Sequence, residues 1–264
     1  MEYYYYCIRC DKIVAQPNRA AQKTQCPKCG QIITFINREA IDNKSISAYS
    51  AYSKMMLAGL KNLYDGHYAK AIESFKEAIR IEPGHPEDWY NLGFAYSQLG
   101  LYEEAIVIYK EAIRLKQDYA LAYSNLGSAY NQLDLYDEAI EVCKQAIRLK
   151  PDFIEAYYNL ASSYAWIGRC EEAIETCKNL IHIHPNFAEA HLLLANIYLS
   201  QGDIDSALRE CEILKKLNIA LANQLLNAIH TLTAHKEFDK EKPEGRTSQG
   251  HWFNRRQTKG SAEI

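Results

Sequence analysis

The chain has 264 residues, 48% of them hydrophobic and 24% charged, with a formal net charge of −3. This is the balance of an ordinary water-soluble protein, and no apolar run approaches the roughly 18 residues that a membrane-spanning helix needs. The opening Met1-Glu2-Tyr3-Tyr4-Tyr5-Tyr6-Cys7 has neither the basic nor the apolar region of a signal peptide, so the sequence predicts a cytoplasmic protein. The charge is unevenly spread. Residues 1–40 carry six basic and three acidic side chains, whereas residues 52–221 carry sixteen and twenty-four. An acidic stretch of that length is a poor match for a phosphate backbone, whose affinity comes from clustered Lys and Arg. Nucleic acid contact stays open only through residues 1–40, where Arg9, Lys12, Arg19, Lys23 and Lys28 could serve it.

In chain order, the first feature is a pair of CxxC motifs, Cys7-Ile8-Arg9-Cys10 and Cys26-Pro27-Lys28-Cys29, separated by 15 residues. Two residues between cysteines let one tight turn aim both thiolates at a single ion, and this spacing is that of a structural zinc site. Two disulfides would need an oxidising compartment. Tyr3–Tyr6 and Gln31–Ile36, rich in β-formers, predict short strands. The pattern resembles the zinc-ribbon family over about residues 3–36. Four cysteines fill the coordination sphere, so the expected zinc is structural rather than catalytic, held by Cys7, Cys10, Cys26 and Cys29. A segment this short has too little core to fold alone, and the metal would supply its folding energy. Residues 37–51 read as a linker.

From residue 52 a phrase recurs every 34 residues, marked by Ala71, Ala105, Ala139, Ala173 and Ala207. A fixed period of that length is the signature of a repeat array. Each unit shows two helical stretches with apolar residues three and four apart. Gly66, Gly100, Gly168 and Gly202 fall between them, and Asp134 stands at the matching place in the third unit. The repeats lie at 52–85, 86–119, 120–153, 154–187 and 188–221. The second carries Trp89, Leu92, Gly93, Tyr96, Ala105, Tyr109 and Ala112; the third Tyr123, Leu126, Gly127, Tyr130, Ala139, Ala146 and Pro151; the fourth Tyr157, Leu160, Ala161, Tyr164, Ala173 and Pro185. The outer repeats depart most, with Ala58 and Asn62 in the first and Leu214 and Ile219 in the fifth.

These positions resemble the tetratricopeptide repeat (TPR) family. The resemblance implies an all-α, right-handed solenoid of paired antiparallel helices, here preceded by the small β zinc ribbon. It also implies that the first helices of successive repeats line a concave groove that binds an extended peptide. Asn91, Asn125 and Asn159 fall there at one common position, and each amide offers a donor and an acceptor to a peptide backbone. Tyr90, Phe94, Ser124, Tyr158 and Trp166 should lie beside them. The other reading of this ladder is that the asparagines satisfy neighbouring helices. A clamp for a chaperone's terminal carboxylate is not expected, because the first helices carry Asn, Ser, Tyr and Gln where such clamps use Lys and Arg.

Cys143, Cys177 and Cys211 also recur every 34 residues, but equivalent positions in adjacent repeats should stand about 8–10 Å apart, too far for one ion. They are expected to be buried small residues. His182, His184 and His191 are expected at the surface. No phosphate loop, nucleophile elbow or acid–base constellation is present, so no enzyme is expected. Residues 222–235 predict a helix that caps the array, and residues 236–264 a disordered tail containing His251-Trp252-Phe253-Asn254-Arg255-Arg256. The expected function is that of a non-catalytic adaptor for an extended protein segment. Two alternatives stay open: a nucleic-acid- or polymerase-associated regulator acting through the ribbon, and a scaffold that self-associates through its repeats.

Overall fold

A computed structural model describes residues 3–7, 12–16, 34–36 and 43–240, with side chains over residues 51–233. The chain divides into two compact units, residues 1–129 and 130–264.

The first unit opens with β1 (Tyr3–Cys7), β2 (Lys12–Gln16) and β3 (Thr34–Ile36), an antiparallel sheet in the order β2-β1-β3. Tyr3 pairs with Gln16, Cys7 with Lys12, and Tyr5 with Phe35. The strand at Lys12–Gln16 adds to those expected from the sequence. Cys10, Cys26 and Cys29 lie outside the described residues, and Cys7 is described only as the backbone end of β1.

Helices α1 (Asn43–Tyr64), α2 (Tyr68–Ile81), α3 (Pro86–Gln98) and α4 (Tyr102–Leu115) follow. The boundary between the units falls within α5 (Ala120–Gln132). The second unit continues with α6 (Tyr136–Leu149), α7 (Ile154–Trp166), α8 (Cys170–Ile183), α9 (Ala188–Ser200), α10 (Ile204–Leu217) and α11 (Ile219–Lys240).

Both ends of the helical region differ from the sequence reading. Helix α1 begins inside the stretch read as a linker at 37–51. Ile46, Tyr49, Tyr52 and Met56 recur three or four residues apart there, the spacing of one helix face. Helix α11 starts before the expected 222 because Asn218 acts as its N-cap. The Asn218 Oδ1 accepts from the backbone N–H of Ala220 at 3.1 Å and of Leu221 at 3.3 Å. It also runs past 235 into the segment read as disordered tail, since no Gly or Pro interrupts the chain before Pro243.

The turns inside the repeats share one geometry. After α3, Gly100 has φ +73°, its N–H donates to the Ser97 carbonyl, and the Leu101 N–H donates back to the Tyr96 carbonyl at 3.0 Å. This closes the helix with a left-handed residue that satisfies its last carbonyls. The same back-bond joins Leu135 to Tyr130, Arg169 to Tyr164 and Asp203 to Tyr198. The third repeat makes the turn with Asp134 at φ 60°, a conformation that Asp tolerates better than most residues.

Small residues set the helix spacing. Ala71, Ala105, Ala139, Ala173 and Ala207 are all fully buried. Gly93 lies against the Tyr109 ring so closely that a Cβ added there would stand 2.8 Å from two ring carbons. Tyr109 is itself buried, so its ring has little room to retreat. Gly93→Ala should therefore destabilise the first unit by about 1–3 kcal/mol, read as a lower urea midpoint. An unchanged midpoint would mean the α3–α4 contact is looser than this geometry.

Candidate binding face

The second helices of the repeats carry most of the charge and pair it along their own surfaces. Arg80 bonds Glu77 at 2.6 Å, Arg114 bonds Glu111 at 2.8 Å, Lys144 reaches Glu141 at 3.4 Å and Lys215 bonds Glu212 at 2.6 Å. Exposed pairs three residues apart contribute little stability. The first helices differ: α5 has no charged residue at all, and α7 has only Glu155.

In the first unit, α1 presents Leu57, Leu60 and Tyr64 to solvent, Tyr64 with 93% of its surface exposed. These three occupy the repeat positions of Asn91, Phe94 and Gln98 on α3. Asn91 and Phe94 are half-buried, and the Asn91 amide has no hydrogen bond to a described residue. Asn125 is used internally, its Nδ2 donating to the Tyr90 hydroxyl at 3.1 Å. Tyr90 in turn packs at 6.0 Å from the Tyr109 ring and 5.3 Å from Tyr119. Ser124 is completely buried. Tyr90, Ser124 and Asn125 thus bind the repeats together, although Tyr90 and Asn125 are half-buried, as Asn91 and Phe94 are.

In the second unit, Asn131 links α5 to α7. Its Nδ2 donates to the Asn159 carbonyl at 3.1 Å, and its Oδ1 accepts from the Ser163 hydroxyl at 2.7 Å. Tyr158 meets Phe187 edge-on at 6.1 Å, and burial pushes its phenol up. Trp166 stacks on Tyr136 at 6.0 Å and stays 38% exposed.

The remaining candidates separate cleanly. Cys143, Cys177 and Cys211 are fully buried free thiols, and burial pushes Cys143 and Cys177 up to about 12, which makes them unreactive. His182 is exposed and His184 half-buried, but His191 is buried rather than at the surface. It takes the place that Trp89, Tyr123 and Tyr157 fill in the preceding repeats, so packing overrides the polar character of its side chain. Among the described residues, no group of three His, Cys, Asp or Glu side chains is placed to hold a metal, and no helix is long and apolar enough to cross a membrane.

The repeat reading is decided by comparison with known families. The TPR repeat profile matches residues 63–100 and 95–134, and two tetratricopeptide repeat profiles match residues 120–153 and 168–218. The chain belongs to the tetratricopeptide-repeat family. Its helical fold is similar to that of a crystal structure of MamA protein, 26% identical, which covers 75% of this chain and 100% of that one with a TM-score of 0.57. A further crystal structure of MamA is 28% identical over 66% of this chain and 96% of that one, with a TM-score of 0.55. TTC0263, a thermophilic TPR protein in Thermus thermophilus, is 23% identical over 67% of this chain and 98% of that one, at a TM-score of 0.56. No curated protein matches the chain in sequence. TPR arrays are interaction folds, and a protein-binding or scaffold role is consistent with all three likenesses.

Proposed function

We propose that this TPR protein is a non-catalytic cytoplasmic adaptor that holds an extended segment of another protein against its first helices. The observation that carries this reading is the partly apolar face of the first unit: exposed Leu57, Leu60 and Tyr64, with Lys61 exposed among them, beside the half-buried Asn91 and Phe94. Apolar pockets give such a segment affinity, and an amide free to donate and accept fixes its backbone. The partner segment should therefore carry aliphatic or aromatic anchors where it meets α1 and α3. A photo-crosslinking residue placed at Phe94 should capture a specific peptide region of a partner, and one placed at Val107, exposed on α4, should not. Equal capture at both positions would remove the face from consideration.

For residues 1–36 we propose a structural zinc held by Cys7, Cys10, Cys26 and Cys29. Supporting this is the spacing of the two CxxC pairs, which suits one four-thiolate site, and the placement of Cys7 at the end of β1. Mild chelation should release about one zinc per chain and unfold this module. The helical circular dichroism signal should stay nearly intact. Loss of the helical signal together with the metal would contradict two separately folding modules.

A further inference from the structure

The His191 imidazole is buried, with 3% of its surface exposed, and both of its ring nitrogens face acceptors. Nδ1 lies 2.7 Å from the Glu210 Oε2 on α10, and Nε2 lies 3.1 Å from the Pro185 carbonyl in the turn before α9. A carbonyl oxygen can only accept, so Nε2 must carry a hydrogen. The chain contains an internal check on that assignment. Three repeats earlier the equivalent residue is Trp89, whose indole N–H, a donor only, bonds the Pro83 carbonyl at 2.9 Å. Pro83 and Pro185 occupy the same repeat position. With Nε2 protonated, a neutral ring would turn the Nδ1 lone pair toward a carboxylate oxygen at hydrogen-bond distance. A proton must lie between them, and the imidazole is the stronger base of the two.

We propose that His191 is a buried imidazolium that pins α9 to α10 and to the preceding turn, so that the C-terminal helices of the second unit loosen as pH rises. Among the described residues, the other elements packed around α9 supply no competing charge. Helix α8 offers the buried thiol Cys177, which the field of Glu210 reaches; Glu171, Glu175 and Lys178 are exposed, and the half-buried Glu172 is paired with Arg169. Helix α7 offers the Tyr158 phenol, and α11 offers His230, which is exposed. On α9 itself Glu189 is exposed, and among the described residues Glu210 is the only charged side chain acting on His191. The Glu210 hydrogen bond and the Pro185 carbonyl raise the imidazole above its ordinary value against the effect of burial. A base whose folded value is raised contributes its full stability below about pH 6.5 and loses it as pH rises through the folded value. Deprotonation leaves either Glu210 or Pro185 facing a lone pair inside a closed packing site.

The test uses the full chain. Imidazole nitrogen spectra should show His191 protonated on both nitrogens at pH 7. Amide exchange in α9–α11, corrected for its intrinsic pH dependence, should rise about tenfold or more between pH 6 and pH 9. Glu210→Gln should bring both transitions to lower pH. His191→Trp, which keeps a donor toward Pro185, should make the exchange independent of pH whatever its effect on stability. A neutral His191 at pH 6.5, or wild-type exchange that stays flat over this range, would overturn the proposal even if neither variant folds.

Discussion

Phe75→Ala is expected to lower the stability of the first unit by about 3–5 kcal/mol, the usual cost of removing a large buried aromatic side chain. Phe75 is fully buried in a cluster with Ala71, Ile72, Ile79, Leu92 and Ala95, against which Met56 and Leu63 pack. Its ring also lies against α1: a Cβ added to Gly59 would stand 2.5–2.8 Å from three of its carbons, so removing the ring opens a gap beside a residue with no side chain. The first repeat is bounded by a neighbour on one side of its repeat register, and in a repeat protein the loss is felt first where the contacts are made. The urea midpoint should fall sharply, and amide protection should be lost first in α1 and α2. A variant with the wild-type midpoint would mean that α1 does not pack on α2 in this register.

Asp88→Ala should have the opposite sign. Asp88 is 0% exposed at the third position of its repeat, where the following three repeats carry Ala122, Ala156 and Ala190, also fully buried. Neither of its carboxylate oxygens has a hydrogen bond of ordinary geometry to a described residue. Burial pushes the carboxyl up to about 6, and the Tyr52 hydroxyl and the His85 ring, stacked on Tyr52 at 4.9 Å, offset only part of the effect. Because the folded value lies above the unfolded one, the folded state binds the extra proton between about pH 4 and pH 6. Stability contributed by this group therefore falls as pH rises through that window, and the full penalty applies above it. Replacing the carboxyl with the methyl group found in the other repeats should raise stability at pH 7 by about 1–3 kcal/mol. At pH 4 the gain should vanish. A denaturation series at both pH values decides this, and a destabilised variant at pH 7 would show that Asp88 holds α3 to α1 rather than straining it.

The repeat register, the helix pairing and the left-handed turns were legible in the sequence because each rests on a short-range rule repeated five times. Ala105, Gly100 and Tyr96 report the same local geometry as Ala173, Gly168 and Tyr164. The ends were less legible. Nothing repeats at Asn43 or Asn218, and there a start signal had to be read once, against serine-rich or polar surroundings. The asparagine ladder was half legible: the positions line up, yet equivalent asparagines do different work. Asn91 and Asn125 are both half-buried but only Asn125 donates to Tyr90, and Asn131, one turn and a half further along α5, makes bonds to α7. Which amide is consumed depends on whether a neighbouring hydroxyl is in reach, and spacing alone does not carry that. His191 was misread for a similar reason. Its polar side chain suggested the surface, but the repeat position it occupies is one that points inward. The signal that could have found it was the aromatic residue at the same position in three earlier repeats.

The most direct test of the adaptor reading is affinity purification of the full chain from native lysate with nuclease present. Wild type would be compared with Leu60→Glu/Asn91→Ala on the first-helix face and with Val107→Lys on α4. Circular dichroism would establish that all three are folded. The account predicts a protein partner that is retained by wild type and by Val107→Lys and is lost with Leu60→Glu/Asn91→Ala. Retention by the face variant, or partners that disappear only with nuclease or with deletion of residues 1–40, would contradict it and move the function to the N-terminal module.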